Sequence, residues 1–260
     1  MKESLLFLNA IRMVNYQEIE PKIQALIEQK KQLKQFEKSL KDIYFISGLG
    51  ADRRVFQRLK VEGYQPVYVN WLEPEKGESI EDYAQRLTSQ IKSDHPILVG
   101  LSFGGIVAVE IAKQIKVEKV ILVSSTKTQS EIPPYFKVFR GFPIHRIFPF
   151  KSLFWALYWI LFWFFSIETV EERRLLRAIL RDTDAGFLKW AIHKVVTWKN
   201  KTIPDNLYQI HGLNDRIFPK RFIDANCWKE GGHFMILNKA VEISKLLEEI
   251  INRKPIIPNN

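Results

Sequence analysis

Pro96-Ile97-Leu98-Val99 runs straight into Gly100-Leu101-Ser102-Phe103-Gly104, and Gly105-Ile106-Val107-Ala108-Val109 follows. A short apolar run closed by glycine reads as a buried strand, and the apolar stretch beyond it reads as a helix. The join places Ser102 on a sharp strand-to-helix turn. A side chain there is exposed and sits at a helix N-terminus, where developing negative charge is favoured. Glycines two residues either side of Ser102 remove the Cβ atoms that would clash in so tight a turn. G-x-S-x-G alone is a weak pattern. The strand before it and the helix after it give it structural meaning.

Outward from this turn, strands and helices alternate. Ile43-Tyr44-Phe45-Ile46-Ser47 reads as a strand ending in Gly48-Leu49-Gly50-Ala51-Asp52, and Val67-Tyr68-Val69-Asn70 as another. Ser79-Ile80-Glu81-Asp82 reads as a capped helix start with Asp82 in the reach-back position, and that helix is expected to run to Ser93. Lys119-Val120-Ile121-Leu122-Val123 is a strand ending in Ser124-Ser125. Asn206 to Ile210 is a strand entering His211-Gly212-Leu213-Asn214-Asp215. Ile223 to Glu230 is the expected last strand, followed by Gly231-Gly232-His233. Val241, Ile243, Leu246, Leu247 and Ile250 mark a final helix, and Pro255 and Pro258 end the ordered chain. The alternation predicts an α/β fold: a mostly parallel sheet with helices on both faces. Sites in such sheets lie at the carboxyl ends of the strands, where Leu49, Ser102, Asp215 and His233 all fall.

A nucleophilic serine needs a base, and the base needs an orienting acid. Ser102, Asp215 and His233 supply these in that chain order. Asp205 and Asp224 are rivals for the acid. Among the other histidines, His95 precedes Pro96 at the wrong end of a strand, His145 and His193 lie in an insertion, and His211 is expected to hold the Asp215 loop. The elbow, H-G-x-x-D and G-G-H together resemble the α/β-hydrolase superfamily in its small lidded serine esterase or lipase-like form, over residues 42–252. The resemblance implies catalytic Ser102, Asp215 and His233, and an oxyanion hole made by the N–H groups of Leu49 and Phe103. It implies no metal and no organic cofactor. Two features depart from the family: the first two strands of the usual eight are not visible before Ile43, and Ser47-Gly48 stands where many relatives have His-Gly. A serine at the elbow disfavours dehalogenase and epoxide-hydrolase chemistry, which needs aspartate there. Esterase, lipase, thioesterase and carbon–carbon bond hydrolase stay open, as does a non-catalytic binder or a membrane-peripheral scaffold on the same fold.

The chain has 260 residues, 46% of them hydrophobic and 26% charged, enough for one α/β core. Its one cysteine, Cys227, excludes an intrachain disulfide and reads as core packing. The apolar stretch within Met1-Lys2-Glu3-Ser4-Leu5-Leu6-Phe7-Leu8-Asn9 is short for a signal peptide, so a cytoplasmic protein is expected. Three segments are expected. Residues 1–41 form a helical extension carrying Ile19, Ile23, Leu26, Ile27, Leu33 and Phe36, with Pro21 in a first turn. It either covers the sheet or binds a partner. Residues 42–126 and 204–254 form the catalytic core. Residues 127–203 form a helical, aromatic-rich lid.

That insertion holds 17 of the 33 Phe, Trp and Tyr residues, and between Lys127 and Lys201 it carries 13 Lys or Arg against 6 Asp or Glu. The net charge is +10. Nothing resembles a nucleic-acid module, so an anionic membrane surface or an anionic substrate is the better match. The densest run, Leu153 to Ile167, has no charge, and Arg140, Arg146 and Lys151 stand ahead of it. As a helix it spans about 22 Å, short of the roughly 30 Å needed to cross a bilayer. A helix apolar on every side is buried or sits against lipid. The expected partners are a small apolar ester substrate and a peripheral membrane contact through the lid. Arg173, Arg174, Arg177 and Arg181 are expected to form a basic stripe.

Overall fold

Residues 16–136 and 158–253 are described in the computed structural model of the chain. The chain falls into two compact units, Met1–Lys41 and Asp42–Asn260. In the first, helix α1 spans Tyr16–Ser39 with Pro21 inside it, not at a first turn. Ile19, Ile23, Leu26 and Ile27 on this helix are exposed.

The second unit is built on six strands: β1 (Lys41–Ile46), β2 (Tyr64–Val69), β3 (Ile97–Leu101), β4 (Lys119–Val123), β5 (Leu207–Gly212) and β6 (Cys227–Lys229). Their order is β2-β1-β3-β4-β5-β6. The pairs β1–β3, β3–β4, β4–β5 and β5–β6 are parallel. Leu101 pairs with Val123, and Val123 with Ile210, so the carboxyl ends of β3, β4 and β5 meet at one rim.

Every residue of β3 and β4 is buried, which is why β3, and β4 after Lys119, read as continuous runs and not as alternating ones. Successive side chains face opposite sides of a strand. Ile43, Phe45, Val99 and Ile121 accordingly pack in one cluster with Ile243, Leu247 and Ile250 of helix α8 (Ala240–Asn252). Tyr44, Ile46, Leu98 and Leu122 pack in another with Tyr83 and Leu87 of α2 (Ile80–Leu87) and Ile106 of α3 (Phe103–Ala112). Helices therefore cover both faces. Between β4 and β5 lie α4 (Tyr158–Phe165), α5 (Val170–Asp182) and α6 (Ala185–Thr197), and α7 (Met235–Asn238) precedes α8.

Several local expectations shift. Helix α2 ends at Leu87, and a 3-10 turn, Thr88–Gln90, replaces the stretch to Ser93. The Ser79 hydroxyl accepts from the Asp82 N–H at 3.0 Å, but the Asp82 carboxylate takes its proton from that hydroxyl at 2.6 Å, not from the Ser79 backbone. The reciprocal capping box lies instead at Thr169 and Glu172. The last strand is three residues, not eight, because pairing with β5 begins only at Cys227 opposite Ile210. Just before it the Asn226 side chain takes the Gln209 N–H at 2.9 Å, the bond that a strand carbonyl would otherwise accept. Cys227 packs half-buried against the core as a free thiol.

The aromatic run is only partly interior. Phe162 and Ile167 are buried, while Trp159, Ile160 and Trp163 are exposed. The residues ahead of Tyr158 in that run, with Arg140, Arg146 and Lys151, lie outside the described residues, as do His145, Pro255 and Pro258.

Candidate active site

Ser102 closes β3 with φ 51° and ψ −118°, a conformation that costs a non-glycine residue about 1–3 kcal/mol and persists only where neighbours hold it. They do so here. The Ser102 N–H donates to the Val123 carbonyl at 3.0 Å, and the Ser102 carbonyl accepts from the Ser125 hydroxyl at 2.6 Å and from the Gly105 N–H at 3.0 Å. The flanking glycines are required by close backbone approach. A Cβ on Gly100 would strike the backbone of Gly104 and Gly105, and one on Gly104 would strike the carbonyls of Ile46 and Ser47 at the end of β1.

The loop after β1 lies against the serine: a Cβ on Gly48 would sit 3.5 Å from Ser102 Cβ. The Leu49 N–H, one residue on, has no acceptor among the described residues. Phe103 is the first residue of α3, so its N–H has no acceptor within the helix. Gly50 in the same loop has φ +68°, and its carbonyl accepts from the Thr183 hydroxyl at 3.0 Å. Thr183 caps the C-terminus of α5 and thereby ties the insertion to this loop across 133 positions. No sequence pattern signals such a contact.

Asp215 lies in the loop leaving β5 and is 3% exposed. Its Oδ1 accepts the N–H groups of Ile217 and Phe218 at 2.8 and 2.9 Å. Its Oδ2 accepts from His233 Nδ1 at 2.8 Å and lies 3.3 Å from His211 Nε2. Burial pushes this carboxyl upward, but attraction to His233 and hydrogen bonds from His211 and His233 outweigh burial and hold it well below the usual carboxylate range. His211 is fully buried, and its Nε2 is also 2.8 Å from the Phe218 carbonyl. Both neighbours of this nitrogen are acceptors, so Nε2 carries the proton and bridges the two ends of the acid loop.

His233 follows β6 through Gly231 (φ +153°) and Gly232. The loops carrying Asp215 and His233 are stitched together by Leu213 N–H to the Lys229 carbonyl and Asn214 N–H to the Gly231 carbonyl, both at 2.9 Å. That stitching lets residues only 18 positions apart meet at the rim. His233 Nε2 lies 2.9 Å from Ser102 Oγ, so Ser102, His233 and Asp215 form one continuous hydrogen-bonded chain. The rings of Phe165 at the end of α4 and of Phe218 stand 5.4 and 5.8 Å from the imidazole. Both walls come from tertiary contact and had no motif to announce them.

The rival groups stand elsewhere. Asp205 is exposed, and the Asp224 side chain is fully exposed near Lys127. His95 is exposed, and His193 lies in α6. A cavity of 740 Å³ lined by Lys127, Glu131, Asn200, Arg221 and Asp224 has neither Ser102 nor His233 in its wall. Among the described residues no group of three His, Cys, Asp or Glu could hold a metal ion.

No family model matches the chain, and no curated protein matches it by sequence. Solved structures do. An esterase from Exiguobacterium antarcticum superposes with a TM-score of 0.60 at 17% identity, over 83% of this chain and 93% of that one. An enol-lactonase from Burkholderia xenovorans gives 0.62 at 16% identity, over 82% and 92%. A thermophilic esterase from Thermogutta terrifontis gives 0.63 at 13% identity, over 80% and 88%. Likeness at such low identity speaks for architecture alone, and with the parallel sheet and its two helical layers it establishes that this chain has the α/β-hydrolase fold.

Proposed function

We propose that the chain is a serine hydrolase that cleaves a carboxylic ester, or a thioester, of an apolar acyl substrate through an acyl-enzyme. The observation that carries this reading is the unbroken relay from Ser102 Oγ through the His233 imidazole to the Asp215 carboxylate, at 2.9 and 2.8 Å. His233 Nδ1 faces a carboxylate that can only accept, so the proton resides there and Nε2 is left to accept from the serine hydroxyl. As Oγ attacks the carbonyl carbon, Nε2 takes its proton. Asp215, ionised and fixed by two backbone N–H groups, stabilises the imidazolium. The carbonyl oxygen gains charge where the N–H groups of Leu49 and Phe103 lack internal acceptors. The imidazolium then protonates the leaving group. Water, deprotonated by the same nitrogen, attacks the acyl-serine and regenerates the hydroxyl. None of these steps calls on a metal or organic cofactor. The aromatic rings of Phe165 and Phe218 beside the imidazole support an apolar acyl group. The solved structures of similar fold include proteins named as esterases, a lactonase and lipases, which agrees with acyl transfer to water.

A fluorophosphonate probe tests this reading. The parent protein is expected to be labelled on Ser102 and the Ser102→Ala variant to stay unlabelled. An accompanying series of p-nitrophenyl esters is expected to favour longer chains over acetate. An unlabelled parent with no esterase activity would leave the fold as a binder; a preference for acetate would remove the apolar-acyl assignment.

A further inference from the structure

Helix α4 is apolar on all sides, and its burial is uneven. Phe162 and Ile167 are buried and Phe165 reaches the imidazole of His233, whereas Trp159, Ile160 and Trp163 are 62%, 47% and 56% exposed. These three lie at i, i+1 and i+4 and share a face. Val170, at the start of α5, adds a fourth exposed apolar side chain. Cations pack against this helix. The Arg216 guanidinium lies 4.5 Å above the Trp163 ring and donates to the Trp163 carbonyl at 2.6 Å. Arg173 and Arg177 lie over Phe162 at 5.7 and 5.6 Å. Arg174, Arg177 and Arg181 form the exposed stripe of α5.

We propose that this surface docks the protein on an anionic lipid bilayer. Large exposed apolar groups of this kind mark an interaction site, not ordinary surface. The tryptophans, the arginines beside them and the net charge select lipid over a protein partner. Tryptophan prefers the level of the lipid headgroups, and arginines around an apolar tip match anionic headgroups. The uncharged run Leu153 to Ile167 has 15 residues, about 22 Å as a helix and short of the roughly 30 Å hydrocarbon core, which suits contact with the interface and not a span. The chain carries a net charge of +10. Because the inner face of the same helix touches His233, docking would hold the Ser102 rim beside the bilayer, where apolar acyl groups are concentrated. That last consequence rests on the hydrolytic reading; the docking itself does not.

The test uses the full chain as its Ser102→Ala variant, so that binding is read without turnover. It is mixed with sedimenting phosphatidylcholine vesicles, with or without about 30% phosphatidylglycerol. Binding to the anionic vesicles at low salt is expected, falling about tenfold on neutral vesicles and about tenfold at roughly 0.5 M salt. Trp159→Ala with Trp163→Ala should weaken binding about tenfold at an unchanged melting temperature, and brominated lipid should quench this double variant less than its parent. Arg174→Glu should reduce the preference for anionic vesicles while leaving the fold intact. Absence of binding, or binding indifferent to the double variant, would overturn the proposal. Self-association without lipid that the double variant abolishes would overturn it too, and would assign the face to a second copy. Fluorophosphonate labelling of the parent reports on the hydrolytic reading separately.

Discussion

Two of the most apolar stretches of this chain meet opposite fates. From Ile97 through Ile111 every residue except Ser102 is buried, whereas Tyr158–Phe165 leaves Trp159, Ile160 and Trp163 in solvent. In hydropathy the two look alike. They differ in what surrounds them: β3 has a strand on each side and a helical layer on each face, while α4 buries Phe162 and leaves Trp159, Ile160 and Trp163 exposed. An apolar run is a demand for burial, and the topology decides whether the fold itself supplies the cover. The first region became the floor of the site, with its hydroxyl as the lone accessible group. The second contributes one wall, Phe165, and an outward face.

The sharpest way to break this contrast is chemical. Ser102→Ala is expected to lower ester hydrolysis by about a thousandfold or more while preserving the melting temperature, whereas Trp163→Ala should leave hydrolysis of a short soluble ester within about twofold. Steady-state kinetics on both variants checks this, and comparable losses would erase the distinction between floor and roof. The next effect is on stability. Leu122→Ala, in the middle of β4 and fully buried, should cost about 2–5 kcal/mol in urea unfolding. Trp159→Ala, its exposed counterpart, should stay within about 0.5 kcal/mol.

A smaller effect separates the two by pH. The carboxyl of Asp215 is depressed in the folded protein, so it stabilises the fold fully above its unfolded value of about 3.9, and that contribution is lost as pH falls below it. The gap in urea midpoint between the parent and Asp215→Asn should therefore be constant from about pH 7 to 5 and narrow below about pH 4. A gap that widens in acid would contradict the ionised acid. Smallest is the change at His211, a positioning residue that touches the acid loop but not the serine. His211→Gln should lower kcat about tenfold with KM little changed, since an amide N–H can replace only part of the bridge between Asp215 and the Phe218 carbonyl. A change confined to KM would place its role elsewhere.

Strand-to-helix chemistry is written locally, and so the elbow was legible. Gly100 and Gly104 are there because backbone atoms occupy the space where a Cβ would stand, and a residue with a side chain could not occupy either place. Asp215 and His233 were legible because each follows a strand, and parallel strands deliver their ends to one rim. The length of α2 and of β6 was not. Helix α2 gives way to a 3-10 turn whose Gln90 side chain bonds the Asn70 backbone 20 positions away, and the Asn226 side chain takes the N–H of Gln209, 17 positions away, ahead of β6.

The sequence by itself determined the alternation of strands and helices, the serine on its turn, and the placement of Asp215 and His233 after later strands, because these follow from apolar periodicity and glycine sterics within a few residues. Only the tertiary structure decided that Ser125 holds the elbow carbonyl, that Thr183 binds the Leu49 loop, that Phe165 stands beside the His233 imidazole, and that Trp159 and Trp163 face outward. Those outcomes arise where segments far apart along the chain compete for the same space and the same hydrogen bonds, and no local pattern encodes the winner.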